Sequence, residues 1–266
     1  MEKEFHNHMR IPWHDYTRKS LGHPITEASL SEKASIIGRT GIMLLSCGTG
    51  AWRVRSSMNT LARELGITCT ADIGLLSIEY TCIDGGDCYT ESLCLFNTGV
   101  NTSKLYRMEL FVNKFATNCK KMSGDELHTL LDQIHEIHGF YSPPFLGLAA
   151  AVACCAFTFL LGGGPTEMFC AFLGAGAGNY LRAKMNQHHL TLFLCTAASV
   201  ALACVVYTIS FMALKSGFDV SIHHQAGYIC SMLFIIPGFP FITSGIDLAK
   251  LDMRSGMERL TYAIII

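Results

Sequence analysis

Residues Ala226 to Ile246 read AGYICSMLFIIPGFPFITSGI, with no charged side chain among them. At 1.5 Å of rise per residue, this run is long enough to cross a bilayer as a helix. Its middle is not expected to be regular helix. Pro237 and Pro240 each lack an amide N–H and crowd the carbonyl four residues back, and Gly238 between them eases unwinding. In hydrocarbon every backbone group needs a partner, so a break at mid-depth is tolerated where it is packed in protein or lines a wet cavity.

The stretch admits two readings. In one, it forms two half-helices meeting near the midplane, as in many transporters, where the positive end of one faces an anion. The second half would then start near Pro240. The amides of Phe241, Ile242 and Thr243, with the hydroxyls of Thr243 and Ser244, would face a carboxylate, making Pro237, Gly238, Pro240, Phe241, Thr243 and Ser244 the candidate substrate residues. In the other reading the prolines only kink the helix and shape its packing.

Composition sets the frame for the rest. The chain has 266 residues, 50% hydrophobic and 15% charged, too apolar for a soluble domain throughout. Most charge falls in residues 1–142, whereas 143–266 holds long uncharged runs. This predicts a polar N-terminal domain followed by a membrane domain. A net charge of −1 and the lack of a basic stripe argue against nucleic acid. Met1 to Tyr16 shows no signal-peptide pattern, so the N-terminal domain is expected in the cytoplasm. Of the twelve cysteines no two form a C-x-x-C pair, and Cys154, Cys155, Cys170, Cys195 and Cys204 lie in apolar spans; in a reducing compartment they read as small buried hydrophobes.

Residues 1–30 read as a tail. Ser29-Leu30-Ser31-Glu32 is a capping-box pattern that starts a helix running to about Cys47. Gly48-Thr49-Gly50 interrupts it, and a second helix carries Ala51, Val54, Met58, Leu61 and Leu65 on one stripe, closed by Gly66. Gly74–Cys82 and Cys88–Asn97 read as a hairpin separated by Ile83-Asp84-Gly85-Gly86-Asp87, with a short strand near Ile67–Thr70. Helical spacing returns at Leu105–Phe115 and after Ser123, with Leu127, Leu131 and Ile134. Residues 31–140 thus form a small α+β domain of two helix pairs around a small sheet. An all-α membrane domain of four to five helices is expected over 143–266, with spans of about 143–161, 166–181, 190–214 and 226–246 and an incomplete fifth from 258. Gly174 and Gly178 in the second span mark a close-packing face. Lys and Arg in the connections put the N-terminus and residues 182–189 and 247–259 inside, and 215–225 outside.

Other polar groups have competing readings. His128, Asp132, His135 and His138 lie on one helix, but a solvated face explains them without a metal; His6 and His8 read as tail. Cys82, Asp84 and Asp87 at the hairpin would suit a thiol hydrolase only if a histidine joined them in a pocket. Glu167 and Asp247 are acids at membrane boundaries, able to carry a proton if deeply placed and merely solvated if not. Arg182, one turn beyond Asn179, is a substrate guide or an interfacial anchor. We assign Asp247, Glu167, Asn179 and Arg182 to coupling or gating. The pattern calls for no cofactor and no metal.

Gly41-Ile-Met-Leu-Leu-Ser-Cys-Gly48, the helix Ala51–Leu65 with Gly66, the hairpin of 74–97, the spans from Pro143, and Ile236-Pro-Gly-Phe-Pro240 followed by Asp247 and the Gly256/Arg259 pair together resemble the threonine/serine exporter (ThrE) family. The likeness is greatest to the larger subunit of its split, two-component succinate-exporter form. It covers about residues 30–266. The resemblance implies a non-enzymatic secondary exporter of the bacterial inner membrane, carrying succinate-like dicarboxylates or threonine and serine. It also implies a separate, smaller membrane subunit as partner, with self-association as a further possibility because four helices and a fraction do not easily enclose a solute path. The rival readings are a membrane-tethered hydrolase and a ligand-sensing or scaffold membrane protein that transports nothing.

Overall fold

The computed structural model describes residues 11–17, 22–137, 141–188, 190–217 and 225–265; His6, His8 and His138 lie outside them. It is mostly helical, with one three-stranded sheet. The chain divides into two compact units, Met1–Gly139 with Gly238–Ile264, and Phe140–Pro237 with Ile265–Ile266.

The first unit is built around helix α1, Leu30–Ser46. Ser29 accepts the Glu32 amide at 3.4 Å and Glu32 returns the bond to the Ser29 amide at 3.3 Å, the capping box read in the sequence. From Glu32 to Leu45 every residue of α1 is buried, because other elements cover it all round. Helix α2, Ala51–Glu64, lays Ala51, Val54, Met58, Leu61 and Ala62 against it, and Gly66 ends that helix at φ 73°.

The sheet follows as β1 Thr68–Ile73, β2 Ser77–Asp84 and β3 Asp87–Cys94, antiparallel in that order. Asp84 pairs with Asp87, so the hairpin turns on Gly85 and Gly86 alone, with φ of 57° and 115°. Two consecutive positive φ values are what a two-residue hairpin with the strands' own twist requires. Ile73, Ile78, Tyr80, Cys82 and Leu93 point inward. Tyr80 fits because Gly38 of α1 has no side chain in its way, and its hydroxyl donates to Glu91 at 2.7 Å with Ala34 O 3.1 Å away. Helices α3, Thr102–Lys114, and α4, Gly124–His135, close the core.

The second unit holds α5 Pro143–Leu160, α6 Pro165–Gln187, α7 Leu192–Gly217 and α8 Gln225–Ser231. Gly174 and Gly178 do form a close-packing face: a Cβ on either would lie 2.8 Å from a carbonyl oxygen of α7, Ala203 or Ser199. Among the described residues α5 and α7 are long and apolar enough to cross a membrane, and the bent pair Gln225–Ile235 and Gly238–Ala249 would be a third span. Helix α6, expected as the second span, is longer than read and carries Glu167, Arg182 and Lys184.

The expected break is present. After α8 the chain makes one 3₁₀ turn, Leu233–Ile235, and Ile236 is extended at φ −59°, ψ 119°. Helix α9 then runs over Gly238–Ala249 and α10 over Met253–Ile265. Helix α10 thus starts five residues before the expected fifth span, and it is amphipathic, burying Ser255, Gly256, Arg259 and Ala263.

Candidate functional site

Helix α9 begins at Gly238, two residues before the start expected from the sequence. Proline is tolerated in a first turn, where its missing N–H would have no acceptor, so Pro240 sits inside α9. The amides without an intrahelical acceptor are those of the N-cap and first three residues. Pro237 and Pro240 have none, which leaves Gly238 and Phe239; among the described residues neither donates to a backbone carbonyl outside the helix. Thr243 donates its hydroxyl to Phe239 O and Pro240 O at 3.0 and 3.2 Å, and Ser244 donates to Gly256 O at 2.8 Å. Phe241 and Ile242 are exposed.

Asp247, near the end of α9, is wholly buried. Its Oδ2 accepts from the Ala51 amide at 3.1 Å and the Ser255 hydroxyl at 2.9 Å, and lies 3.3 Å from Arg259 Nε. Gly50 precedes α2 and has no side chain to cap it; Asp247 therefore supplies the anion that a helix N-terminus favours from almost two hundred residues away. Arg259, also buried, donates from Nε to Ser255 at 3.0 Å, from Nη1 to Gly48 O at 3.0 Å and from Nη2 to Thr49 O at 2.8 Å. Asp247 Oδ1 is buried and accepts no hydrogen bond among the described residues. The tie thus fastens α9 and α10 to the Gly48-Thr49-Gly50 break.

The remaining candidates lie in the second unit. Glu167 accepts from the Gly164 amide at 2.9 Å, capping its own helix, and from the Gly227 amide of α8 at 3.5 Å. Asn179 donates to Leu146 O of α5 at 2.8 Å. Arg182 donates to Phe234 O at 3.4 Å, a carbonyl released by the end of regular helix.

Of the other polar groups, His128 and Asp132 meet at Arg39, apart from those of the hairpin. His128 is buried between Ser35, 3.1 Å from Nε2, and Arg39, 3.2 Å from Nδ1. Burial first, then the Arg39 charge, pushes its pKa down to about 3, so the ring stays neutral. Asp132 faces Arg39 and His14, and His135 lies beside Lys104 at 3.3 Å. Among the described residues no cluster could hold a metal. Cys82 lies in the core opposite Cys69; the contact with Cys69, then burial, holds the thiol well above its usual range. Asp84, at the exposed hairpin end, faces Lys33.

The ThrE threonine/serine exporter family model matches residues 35–266. The chain belongs to that family. Two relatives carry the name "Probable succinate transporter subunit YjjP". The one from Escherichia coli (strain K12) is 24% identical over 229 residues, covering 85% of this chain and 86% of that protein. The one from Klebsiella aerogenes is 24% identical over 229 residues, covering 85% and 84%. No solved structure matches.

In this ThrE chain the sequence marks Asp247 as a site candidate and Arg259 only as part of the family motif and of an inward basic loop. The structure buries Arg259 at 2% exposure. The available signal was Ser255 four residues before Arg259, one turn apart on α10 and so able to share one acid.

Proposed function

We propose that the chain is the larger subunit of a secondary exporter of small carboxylates, succinate-like dicarboxylates or threonine and serine, acting in the inner membrane with a smaller membrane subunit. The observation that carries this reading is the broken apolar pair 225–249 in a chain of the ThrE family. The first turn of α9 keeps two amide donors, Gly238 and Phe239, a number that matches the two oxygens of one carboxylate. Pro237 and Pro240 keep the turn open, Phe241 adds apolar contact, and Thr243 and Ser244 hold the helix through carbonyls. Asp247 is the coupling acid, since it is buried, grips Arg259 and the α2 terminus through Oδ2, and keeps Oδ1 without a hydrogen bond among the described residues. Glu167, Asn179 and Arg182 serve gating by tying α6 to α5, α8 and the 3₁₀ turn.

The test is efflux from proteoliposomes loaded with labelled succinate, threonine or serine, with this chain alone and with the smaller ThrE-family subunit. Efflux of at least one of these solutes only when both subunits are present is expected. Equal leakage of all three with and without protein would overturn the proposal.

A further inference from the structure

A groove of about 410 Å³ opens beside α2, lined by Trp52, Arg55, Asn59, Arg63, Lys250 and Asp252. All belong to one compact unit. Trp52, Arg55, Asn59 and Arg63 recur at three and four residues, so they share one face of α2, and Lys250 and Asp252 come from the turn between α9 and α10. Three cations thus face one carboxylate. Arg55 is held, with Nε on Ala71 O at 3.1 Å and Nη1 on Asp252 at 2.5 Å. Among the described residues Arg63 has its neighbour Glu64 as ion-pair partner, at 4.0 Å. Lys250 lies 5.5 Å from the centre of the Trp52 ring. The groove therefore carries unneutralised positive charge.

The turn that supplies Lys250 is unusual. The Asp252 amide donates to Asp247 O at 2.9 Å and the Leu251 amide to Leu248 O at 3.1 Å, the two bonds of a Schellman ending whose left-handed position is normally glycine. Here it is Leu251, at φ 64° and 82% exposed, a conformation costing about 1–2 kcal/mol for a residue with a Cβ. Behind it, Ile242 and Ile246 of α9 and Lys250 just past its end follow one another at four-residue steps, the two isoleucines exposed. An apolar stripe thus leads to a cation beside a tryptophan. A free anion has no use for the stripe; a lipid has, because its acyl chain covers apolar surface while its phosphate sits at the level of Trp and Lys.

We propose that this groove binds the phosphate headgroup of an anionic phospholipid, with Lys250 and Arg63 on the phosphate, Arg55 positioned by Asp252, and the acyl chain along Ile246 and Ile242. The proposal does not depend on transport. Trp13 and Trp52 are the two tryptophans of the chain, so a Trp13→Phe background makes Trp52 fluorescence a site-specific probe for the purified full chain in neutral detergent. Phosphatidylglycerol is expected to change that emission saturably, phosphatidylcholine not. The pair Lys250→Gln and Arg63→Gln, both exposed side chains, is expected to weaken the phosphatidylglycerol midpoint about 30-fold, equivalent to roughly 2 kcal/mol for two cations, and Lys250→Arg to restore much of it. Equal responses to the two lipids, or a double variant that titrates like its parent, would overturn the site. Soluble glycerol phosphate saturating at the same midpoint as the lipid would overturn the lipid assignment in favour of a free phosphate ester.

Discussion

Replacing Asp247 with alanine should unfasten the N-terminal unit at its most buried charge pair. The change removes the acceptor of the Ala51 amide and leaves Arg259 buried at 2% exposure. Removing one partner of a buried pair costs about 3–5 kcal/mol, and loss of a helix cap about 1 kcal/mol. Arg259 keeps Ser255, Gly48 O and Thr49 O, so the lower figure, about 3 kcal/mol, is expected. For a unit of this size that corresponds to roughly 6–12 °C in Tm. Thermal unfolding of the purified chain in detergent measures it, and hydrogen exchange of the Ala51 amide localises it. The double variant Asp247→Leu with Arg259→Met should recover much of the loss, since an apolar pair leaves no charge unpaired. An Asp247→Ala chain melting within about 2 °C of its parent, with Ala51 exchange unchanged, would show that the tie contributes nothing of this size.

Gly38→Ala should destabilise the chain by about 1–3 kcal/mol, because the new methyl group meets the buried Tyr80 ring; urea titration checks this. His14 bridges Asp125 at 2.6 Å and Asp132 at 2.8 Å, and the bonds to Asp125 first and Asp132 second raise its pKa. A raised folded-state pKa gives stability that is full below the ordinary histidine value and is lost as pH rises through the folded value. Both contacts are nearly half exposed, so the gain is about 1 kcal/mol at most; the Tm gap between the parent and His14→Gln should be widest below the ordinary histidine value of about 6.5 and close as pH rises through the raised one. Glu167→Ala should speed exchange at Gly164 and Gly227 together, with a loss of about 1 kcal/mol, whereas loss at Gly164 alone would deny the tie to α8.

The features legible in the sequence were those set by near neighbours. Ser29 with Glu32 and Ser123 with Glu126 announced two helix starts, Gly85-Gly86 the hairpin, Gly174 with Gly178 a close helix crossing, and Pro237 the break. Contacts distant in sequence left no such mark. Nothing in α1 showed that Lys33 and Arg39 would be buried, since their partners Asp84 and Asp132 lie far along the chain. The Asp247 and Arg259 tie was hidden for the same reason: its receptacle, Gly48 to Ala51, resembles any helix interruption. The start of α9 lies two residues before Pro240 because a proline is accommodated inside a helix's first turn and so does not by itself mark the boundary.

The most direct test of the export account is to mend the broken helix. Pro237→Ala with Pro240→Ala restores two amides and lets α8 and α9 approach a continuous rod, while Asp247 and Arg259 stay in place. Efflux of preloaded succinate, threonine and serine is then measured in cells carrying both subunits at matched membrane levels of this chain. Loss of the efflux that the parent supports is the predicted result, and efflux equal to the parent's for every exported solute would contradict a substrate site at Gly238 and Phe239.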